Sequence, residues 1–150
     1  MAKFYICEKC GNLIGMIHAS GVTPVCCGAK MTALEAGVVE ASREKHIPEV
    51  TVDGNTVTVT VGSVLHPMTE EHSITWVYLE TDKGGQRKAL SPGEEPKAHF
   101  ALADEKPLAV YAKDIAPGSA VIYPPPAFTK CESSVPASGV GPIPRRPFSD

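Results

Sequence analysis

The stretch Glu49-Val50-Thr51-Val52-Asp53-Gly54-Asn55-Thr56-Val57-Thr58-Val59-Thr60-Val61 decides the fold class. Valines alternate with polar residues on both sides of its centre, which is the period of a strand with one buried face. Between the two runs, Asp53-Gly54-Asn55 is a hairpin signal, because glycine and asparagine adopt turn conformations at little cost. The stretch therefore predicts two antiparallel strands joined by a tight turn.

Further strands are predicted towards the C-terminus. The run Ile74-Thr75-Trp76-Val77-Tyr78-Leu79 alternates as a strand, and its tryptophan is expected in the core. A turn at Lys83-Gly84-Gly85 is followed by two more strands, within residues 97–102 and 107–111. Short strands with regular turns predict a mainly β fold, an all-β sandwich.

Four of the five cysteines lie in the first 27 residues, as Cys7-x-x-Cys10 and the adjacent pair Cys26-Cys27. The first pair has the spacing that lets two thiolates approach one ion. Pro24 and Gly28 permit the sharp bend that the adjacent pair needs to face the same ion. Four thiolates at a tetrahedral centre indicate zinc or iron, and the spacing leaves both metals open.

The alternative for these cysteines is a pair of disulfides in a secreted mini-domain, which the absence of a signal-peptide pattern disfavours. A segment of about 35 residues buries too little core to fold alone, so a bound ion is expected to supply its folding energy. Residues 32–43 begin with a capping-box pattern. They are expected to form a turn or two of helix as the linker to the β-sandwich.

Three of the five histidines, His46, His66 and His72, surround the predicted strands. Because a separation of six residues does not place His66 and His72 on one helical face, they are expected to converge from one strand-to-strand connection. His46 would come from an earlier loop. Imidazole binds zinc, copper, iron and nickel alike, so the histidines predict a metal site without choosing the metal. Three unrelated surface histidines are the alternative, and His99, in mid-strand, is expected to face outward.

Composition excludes several classes of function. A net charge of -3 with 21% charged residues gives no basic surface for nucleic acid. The N-terminus lacks the apolar region of a signal peptide, and no run approaches the ~20 apolar residues of a membrane span. We therefore expect a cytoplasmic protein with no membrane partner, in which clustered thiols stay reduced.

The motifs together carry a family resemblance. The Cys-x-x-Cys with a later Cys-Cys resembles the desulforedoxin module. Glu44-Lys45-His46-Ile47-Pro48, the run from Val61 to Met68 and Glu71-His72-x-Ile74-x-Trp76 are similar to the superoxide reductase domain. In this order, within about residues 3–112, they resemble the desulfoferrodoxins, which are two-iron superoxide reductases.

The resemblance implies an organisation in three parts. A small rubredoxin- or desulforedoxin-like metal knuckle occupies residues 1–36, and an immunoglobulin-like β-sandwich occupies residues 37–112. Residues 113–150 form an atypical tail. The implied iron ligands are the cysteines and histidines already named: an FeS4 centre at Cys7, Cys10, Cys26 and Cys27, and a catalytic iron at His46, His66 and His72.

The resemblance also implies a reaction. Superoxide is reduced by one electron to hydrogen peroxide at the catalytic iron, and the FeS4 centre relays the electron. Lys45 attracts and orients the superoxide anion, as a cation beside a shallow site does, and Glu44 occupies the open position once the iron is ferric. A rubredoxin-type protein as electron donor and a homodimer are the implied partners.

The C-terminal part departs from the family. There the last strand runs into Cys-Asn-x-His-Gly, which supplies an axial thiolate and a fourth imidazole. Here Val110-Tyr111-Ala112 is followed by Lys113-Asp114-Ile115-Ala116-Pro117-Gly118, which supplies neither. Cys131 is the remaining thiol and a candidate iron ligand. Eight prolines in the last 38 residues predict a tail that packs no core.

Two explanations fit the changed ending, a natural variant that lost the site and a reading-frame shift near codon 113. The abrupt end of the resemblance favours the frame shift. Three functions follow from the sequence: a superoxide reductase, an electron carrier in which only the four-cysteine site is filled, and a structural zinc module with a degenerate β-domain.

Overall fold

The computed structural model of the protein describes residues 2–35 and 47–114. Within these ranges the secondary structure consists of eleven β-strands, which confirms the mainly β prediction. The strands are β1 (Lys3–Ile6), β2 (Leu13–Met16), β3 (Val25–Cys26), β4 (Ala29–Lys30), β5 (Thr32–Leu34), β6 (Pro48–Asp53), β7 (Thr56–Val61), β8 (Ile74–Thr81), β9 (Gly84–Ala89), β10 (Lys97–Ala101) and β11 (Pro107–Asp114). None of the described segments forms a helix with the length and apolar character that a membrane crossing needs.

The strands form three three-stranded sheets and one short hairpin, and every pairing in them is antiparallel. The N-terminal sheet has the order β2-β1-β5, and the β3-β4 hairpin lies within the same segment of the chain. The other two sheets have the orders β10-β7-β6 and β11-β8-β9. Together these two sheets make the predicted β-sandwich.

The hairpin that decides the fold class is β6-β7. Its register pairs Asp53 with Thr56, so the connecting loop is the two residues Gly54 and Asn55. Gly54 adopts a φ of 54°, a left-handed conformation that glycine reaches without strain. Alternation along β7 turns its three valines into the core, where each is fully buried.

The main core lies between the two sheets of the sandwich. The β10-β7-β6 sheet contributes the β7 valines and Phe100, which is 1% exposed. The facing sheet contributes Val77 and Leu79 from β8, and Val110 and Ala112 from β11. These side chains sit at every second position of their strands, so the opposite face of the β11-β8-β9 sheet is left for another layer.

The N-terminal sheet covers that opposite face. The Phe4 ring lies between 5.3 and 5.5 Å from the ring centroids of Trp76, Tyr78 and Tyr111. Gly15 pairs with Phe4 in the β1-β2 ladder, and a Cβ there would stand 3.3 Å from the ring. The absence of a side chain at Gly15 thus gives the ring its room. Trp76 is buried, as the sequence predicted, and its neighbour is a residue of the N-terminal module.

The Glu80 carboxylate adds a polar contact between the N-terminal sheet and the sandwich. The Glu80 Oε2 atom accepts hydrogen bonds from the Ala2 backbone N–H at 3.0 Å and the Tyr111 hydroxyl at 2.7 Å. Burial acts to raise the pKa of Glu80, but these donors outweigh it and hold the pKa below its usual value. Burial, with the Glu80 charge, raises the pKa of Tyr111. The N-terminal sheet and the sandwich therefore share a polar contact as well as an aromatic one.

Three features differ from the sequence expectations. Thr32 begins strand β5 and not the predicted helix, because β1 offers it a ladder and its hydroxyl donates to the Glu8 carboxylate at 2.8 Å. Residues 36–43 of that prediction lie outside the described residues. Strand β9 was not predicted, since its edge position leaves it polar and without alternation. Strand β11 continues to Asp114, three residues past the predicted end of the strand at Tyr111. The domain boundaries at 36 and 112 remain predictions.

Candidate metal centres

The first cysteine pair sits in a turn between β1 and β2. The Gly11 N–H donates to the Cys7 carbonyl at 2.8 Å, and the Cys7 N–H donates to the Asn12 carbonyl at 2.8 Å. Gly11 adopts a φ of 76°, which closes the turn after Cys10. Both backbone bonds curl the chain around the first thiol, so Cys7 is buried while Cys10 is exposed.

The second pair occupies the β3-β4 hairpin. Cys26 ends β3 and pairs with Ala29, so Cys27 and Gly28 form a two-residue loop. Their φ angles of 50° and 73° are the positive pair that a type I′ turn requires. Adjacent side chains on an extended strand point to opposite faces, and this turn removes that conflict. The bend that the sequence predicted between Pro24 and Gly28 is therefore confirmed.

The four thiols converge with the spacing of a tetrahedral metal site. Their Sγ atoms all lie within 4.8 Å of one another, at Cys7, Cys10, Cys26 and Cys27. The Cys10 and Cys26 sulfurs are 3.6 Å apart, and those of Cys26 and Cys27 are 3.9 Å apart. Metal–sulfur bonds of about 2.3 Å in a tetrahedron separate the sulfurs by about 3.8 Å. The thiols thus fit zinc or iron, the metals that such a donor set selects.

Proton sharing among the thiols sets their acidity. A hydrogen bond from the Cys10 backbone has the largest effect on Cys7; burial opposes it, and weaker bonds from the Lys9 backbone and the Cys10 and Cys26 thiols add to it, so that the pKa of Cys7 is lowered to about 7. Hydrogen bonds to the Cys10 thiol raise the pKa of Cys26 and raise that of Cys27 to about 12. One thiolate therefore forms near neutral pH, and at least two neighbouring thiols keep their protons.

We expect metal affinity at this cluster to rise steeply with pH. A thiol must lose its proton to become a ligand, and each displaced proton contributes about tenfold in affinity per pH unit. Above about pH 7 the metal displaces the protons of Cys26 and Cys27, so its affinity should rise at least about 100-fold per pH unit. Below about pH 7 it must also displace the proton of Cys7, so the affinity should change more steeply still. Competition titrations with Zn²⁺ and a chelator at three pH values measure the slope, and a flat profile contradicts the prediction.

A second group of donors lies at the end of the sandwich, where the β7-β8 connection holds two histidines. The backbone N–H of His66 donates to the Val61 carbonyl at 3.4 Å. The Thr69 N–H donates to the His72 carbonyl at 2.9 Å, and the His72 N–H returns to the Thr69 hydroxyl at 3.1 Å. Met68 anchors the connection through its carbonyl, which accepts from the Gly93 N–H at 2.8 Å. These bonds fix both histidines relative to the strands.

The two imidazoles meet at a right angle. Their ring centroids are 4.5 Å apart, with an interplanar angle of 86°. His66 is buried and its Nδ1 atom lies 2.6 Å from the Pro67 carbonyl oxygen. A carbonyl accepts only, so Nδ1 carries the proton and Nε2 presents its lone pair to the site. This arrangement is the one that orients a metal-binding histidine.

The third member of the group is Asp114, the last residue of β11. Its Oδ2 atom lies 2.9 Å from His72 Nε2 and 3.5 Å from His66 Nε2, and the residue is 3% exposed. Asp114 follows Val110 and Ala112 on the core-facing side of its strand. A bulge at Thr75 shifts the pairing there, and the Thr75 hydroxyl donates to the Lys113 carbonyl at 3.1 Å. Bulges often re-aim side chains beside functional sites.

Lys113 lies on the opposite side of the strand end. Its Nζ atom donates to the Asp114 carbonyl oxygen, and partial burial lowers the lysine pKa against the opposing effect of the Asp114 charge. The strand in which the resemblance expects a thiolate therefore ends in a half-buried ammonium and a buried carboxylate. Separations of about 3.0–3.5 Å between ligands suit metal bonds of about 2.0–2.2 Å, so this group also fits a divalent metal.

The structure brings some of the predicted site residues together, places one on the surface and does not describe the others. It brings the four cysteines together, and it brings His66 to His72. It places His99 on the surface, with Nδ1 3.0 Å from the Thr58 hydroxyl. Glu44, Lys45, His46 and Cys131 lie outside the described residues, and their roles stay predictions. Asp114 was not predicted as a site residue. The signal that could have revealed it is the strand alternation, which places Asp114, two residues after Ala112, on the core-facing side of β11.

Comparisons with known proteins agree with this arrangement. Residues 38–116 match the family described as Desulfoferrodoxin. The chain is 42% identical over 104 residues to a desulfoferrodoxin homolog from Archaeoglobus fulgidus, covering 69% of this chain and 83% of that protein. It is 40% identical over 107 residues to a desulfoferrodoxin from Nitratidesulfovibrio vulgaris, covering 71% and 85%.

The fold agrees with a solved structure. The superoxide reductase from Treponema pallidum matches with a TM-score of 0.68 and 35% identity, covering 83% of this chain and 96% of that one. Fold and donor groups together define an all-β oxidoreductase with a four-cysteine cluster and a His-His-Asp group. The chain belongs to the desulfoferrodoxin family of superoxide reductases.

Proposed function

We propose that this protein reduces superoxide to hydrogen peroxide at an iron ion held at the end of the β-sandwich. The observation that carries the proposal is the convergence of His66 and His72 within the range that matches the family. His46 supplies a third imidazole in this proposal. Iron held by these histidines would, in its ferrous state, supply the one electron that, with two protons, converts superoxide to hydrogen peroxide.

The side chains of the chain itself prepare this chemistry. Pro67 fixes the His66 tautomer, so the lone pair of His66 Nε2 faces the ion without a change of protonation. The half-exposed His72 leaves the site open to a small anion. Lys45 steers superoxide to it, since a cation beside an open site raises the local concentration of an anion. Glu44 is the proposed carboxylate that would bind the iron once it has given up its electron.

The four-cysteine cluster serves as the electron relay in this proposal, with iron as its metal. A rubredoxin-type protein is the proposed donor, and the reducing cytoplasm is the proposed location because it keeps the thiols available as ligands. Val25, an exposed apolar residue next to Cys26, supports docking of the donor close to the cluster. A homodimer is the proposed assembly of the chain.

Stopped-flow decay of superoxide with the reduced, iron-loaded protein tests the function. We expect one hydrogen peroxide per superoxide consumed and no oxygen. His72→Ala should slow the decay by more than about 100-fold, because even outer partners of a metal are worth about 10- to 100-fold. His99→Ala is the matched control, since His99 is an exposed imidazole of β10.

Two results would overturn the proposal. One is a decay rate equal to that of the buffer. The other is a peroxide yield of one per two superoxide with oxygen released, which indicates dismutation. A single iron or zinc per chain, bound by the cysteines, would leave the electron-carrier or zinc-module function in its place.

A further inference from the structure

The carboxylate of Asp114 faces the side of the histidines that a metal would occupy. A carboxylate that only orients a histidine binds the ring nitrogen that the metal does not use. For His66 that nitrogen is Nδ1, which already pairs with the Pro67 carbonyl at 2.6 Å. Asp114 instead lies 3.5 Å from His66 Nε2, the nitrogen left for a metal. Relative to His66, Asp114 thus lies where a metal ligand would, and its 2.9 Å contact with His72 Nε2 brings both ring nitrogens to the same carboxylate oxygen.

The burial of Asp114 points the same way. An ionised carboxylate removed from water requires compensation by a charge or by hydrogen bonds. Its Oδ2 atom contacts both imidazoles, one buried and one part-exposed, and its side chain is 4% exposed. A divalent cation between these three donors would add a positive charge beside the carboxylate, which already interacts with Lys113. Their ligand atoms lie within 4.8 Å of one another, close enough to share one ion.

We propose that Asp114 is the anionic ligand of the metal centre and forms with His66 and His72 a two-histidine, one-carboxylate group for ferrous iron, to which His46 would add the third imidazole of the proposed function. Such a group holds non-haem ferrous iron with positions left open. The inference rests on the proposed function, because it concerns the same ion. The carboxylate replaces the thiolate that the resemblance leads one to expect, and it is a harder, less electron-donating ligand.

Charge also suits an anionic substrate. Two neutral imidazoles and one carboxylate leave a divalent ion with a net charge of about +1, which attracts an anion to the open positions. Because oxygen and nitrogen donors also accept zinc and cobalt, the group can be tested with metals other than iron.

Cobalt titration of the full chain tests whether position 114 touches the ion. The first equivalent of Co²⁺ fills the four-cysteine cluster and the second reports the His-His-Asp group. In Asp114→Cys, a thiolate in direct contact should give the second equivalent a sulfur-to-cobalt charge-transfer band. Asp104→Cys, at a fully exposed aspartate, is the matched control and should show none. The longer metal–sulfur bond compensates for the shorter side chain.

Affinity provides a second readout. Asp114→Asn should weaken binding of the second Zn²⁺ by at least about tenfold, whereas Asp104→Asn should not change it. Asn suits the positive φ of 58° at position 104, so this control keeps its backbone. Equal affinities in the two Asn variants overturn the inference even if Asp114→Cys fails to fold.

The outcomes separate this inference from the proposed function. A second Co²⁺ that binds Asp114→Cys without the new band places Asp114 outside the coordination sphere, while the histidine centre and the proposed reductase stand. A wild-type chain that binds no second ion overturns both.

Discussion

Replacing Cys7 with serine is expected to remove the ion of the four-cysteine cluster and the ordered structure of residues 7–35. Cys7 is the buried thiol of the cluster, and its backbone closes the first turn. The described strands of this module are two to four residues long, too short to persist without a cross-link. Structural zinc contributes about 10–16 kcal/mol to small metal-folded domains, more than such strands can replace.

Limited proteolysis with metal analysis measures this effect. The variant should lose one ion per chain and be cut within residues 7–35, while residues 47–114 resist. Cys131→Ser is the matched control, because it removes the one cysteine that is not among the four predicted ligands of this ion and should leave the ion in place. A chelator applied to the wild-type chain should reproduce the cuts. Resistance of the metal-free variant would show that the module folds on its own contacts.

Local patterns of the sequence predicted the sandwich because its core uses them. The valines of β7 alternate through one buried face, and the two-residue turn at Gly54 sets the register with β6. The same reasoning placed His66 and His72 on one connection, which is where the structure brings them together. In each case the sequence separation is small, so a turn or a strand fixes the geometry.

Local patterns could not predict contacts between residues that are far apart in the sequence. Asp114 reaches His72 across 42 positions, and only the strand pairing of β11 with β8 brings them together. Composition hides Asp114, because by composition the proline-rich stretch begins at Lys113. The capping-box pattern at Thr32 was outweighed by pairing with β1, which satisfies more backbone groups than a single helical turn does.

The contact between Phe4 and the sandwich is the other place where a single substitution should have a large effect. Phe4 is 6% exposed and packs its ring against three aromatic rings of β8 and β11. Phe4→Ala should lower the free energy of unfolding by about 3–5 kcal/mol, the usual cost of emptying a buried aromatic site. Because this ring joins the N-terminal sheet to the sandwich, thermal unfolding should separate into two transitions, the first belonging to the N-terminal module.

Tyr5→Ala is the matched control for this prediction. Tyr5 is the next residue of β1, so its side chain points to the opposite face of the sheet and away from the sandwich. It is only half-buried, and its removal should cost about 1 kcal/mol with a single transition retained. Differential scanning calorimetry of the metal-loaded proteins compares the two. Equal losses in both variants would mean that metal binding and the Glu80 contact, not the Phe4 ring, hold the N-terminal sheet against the sandwich.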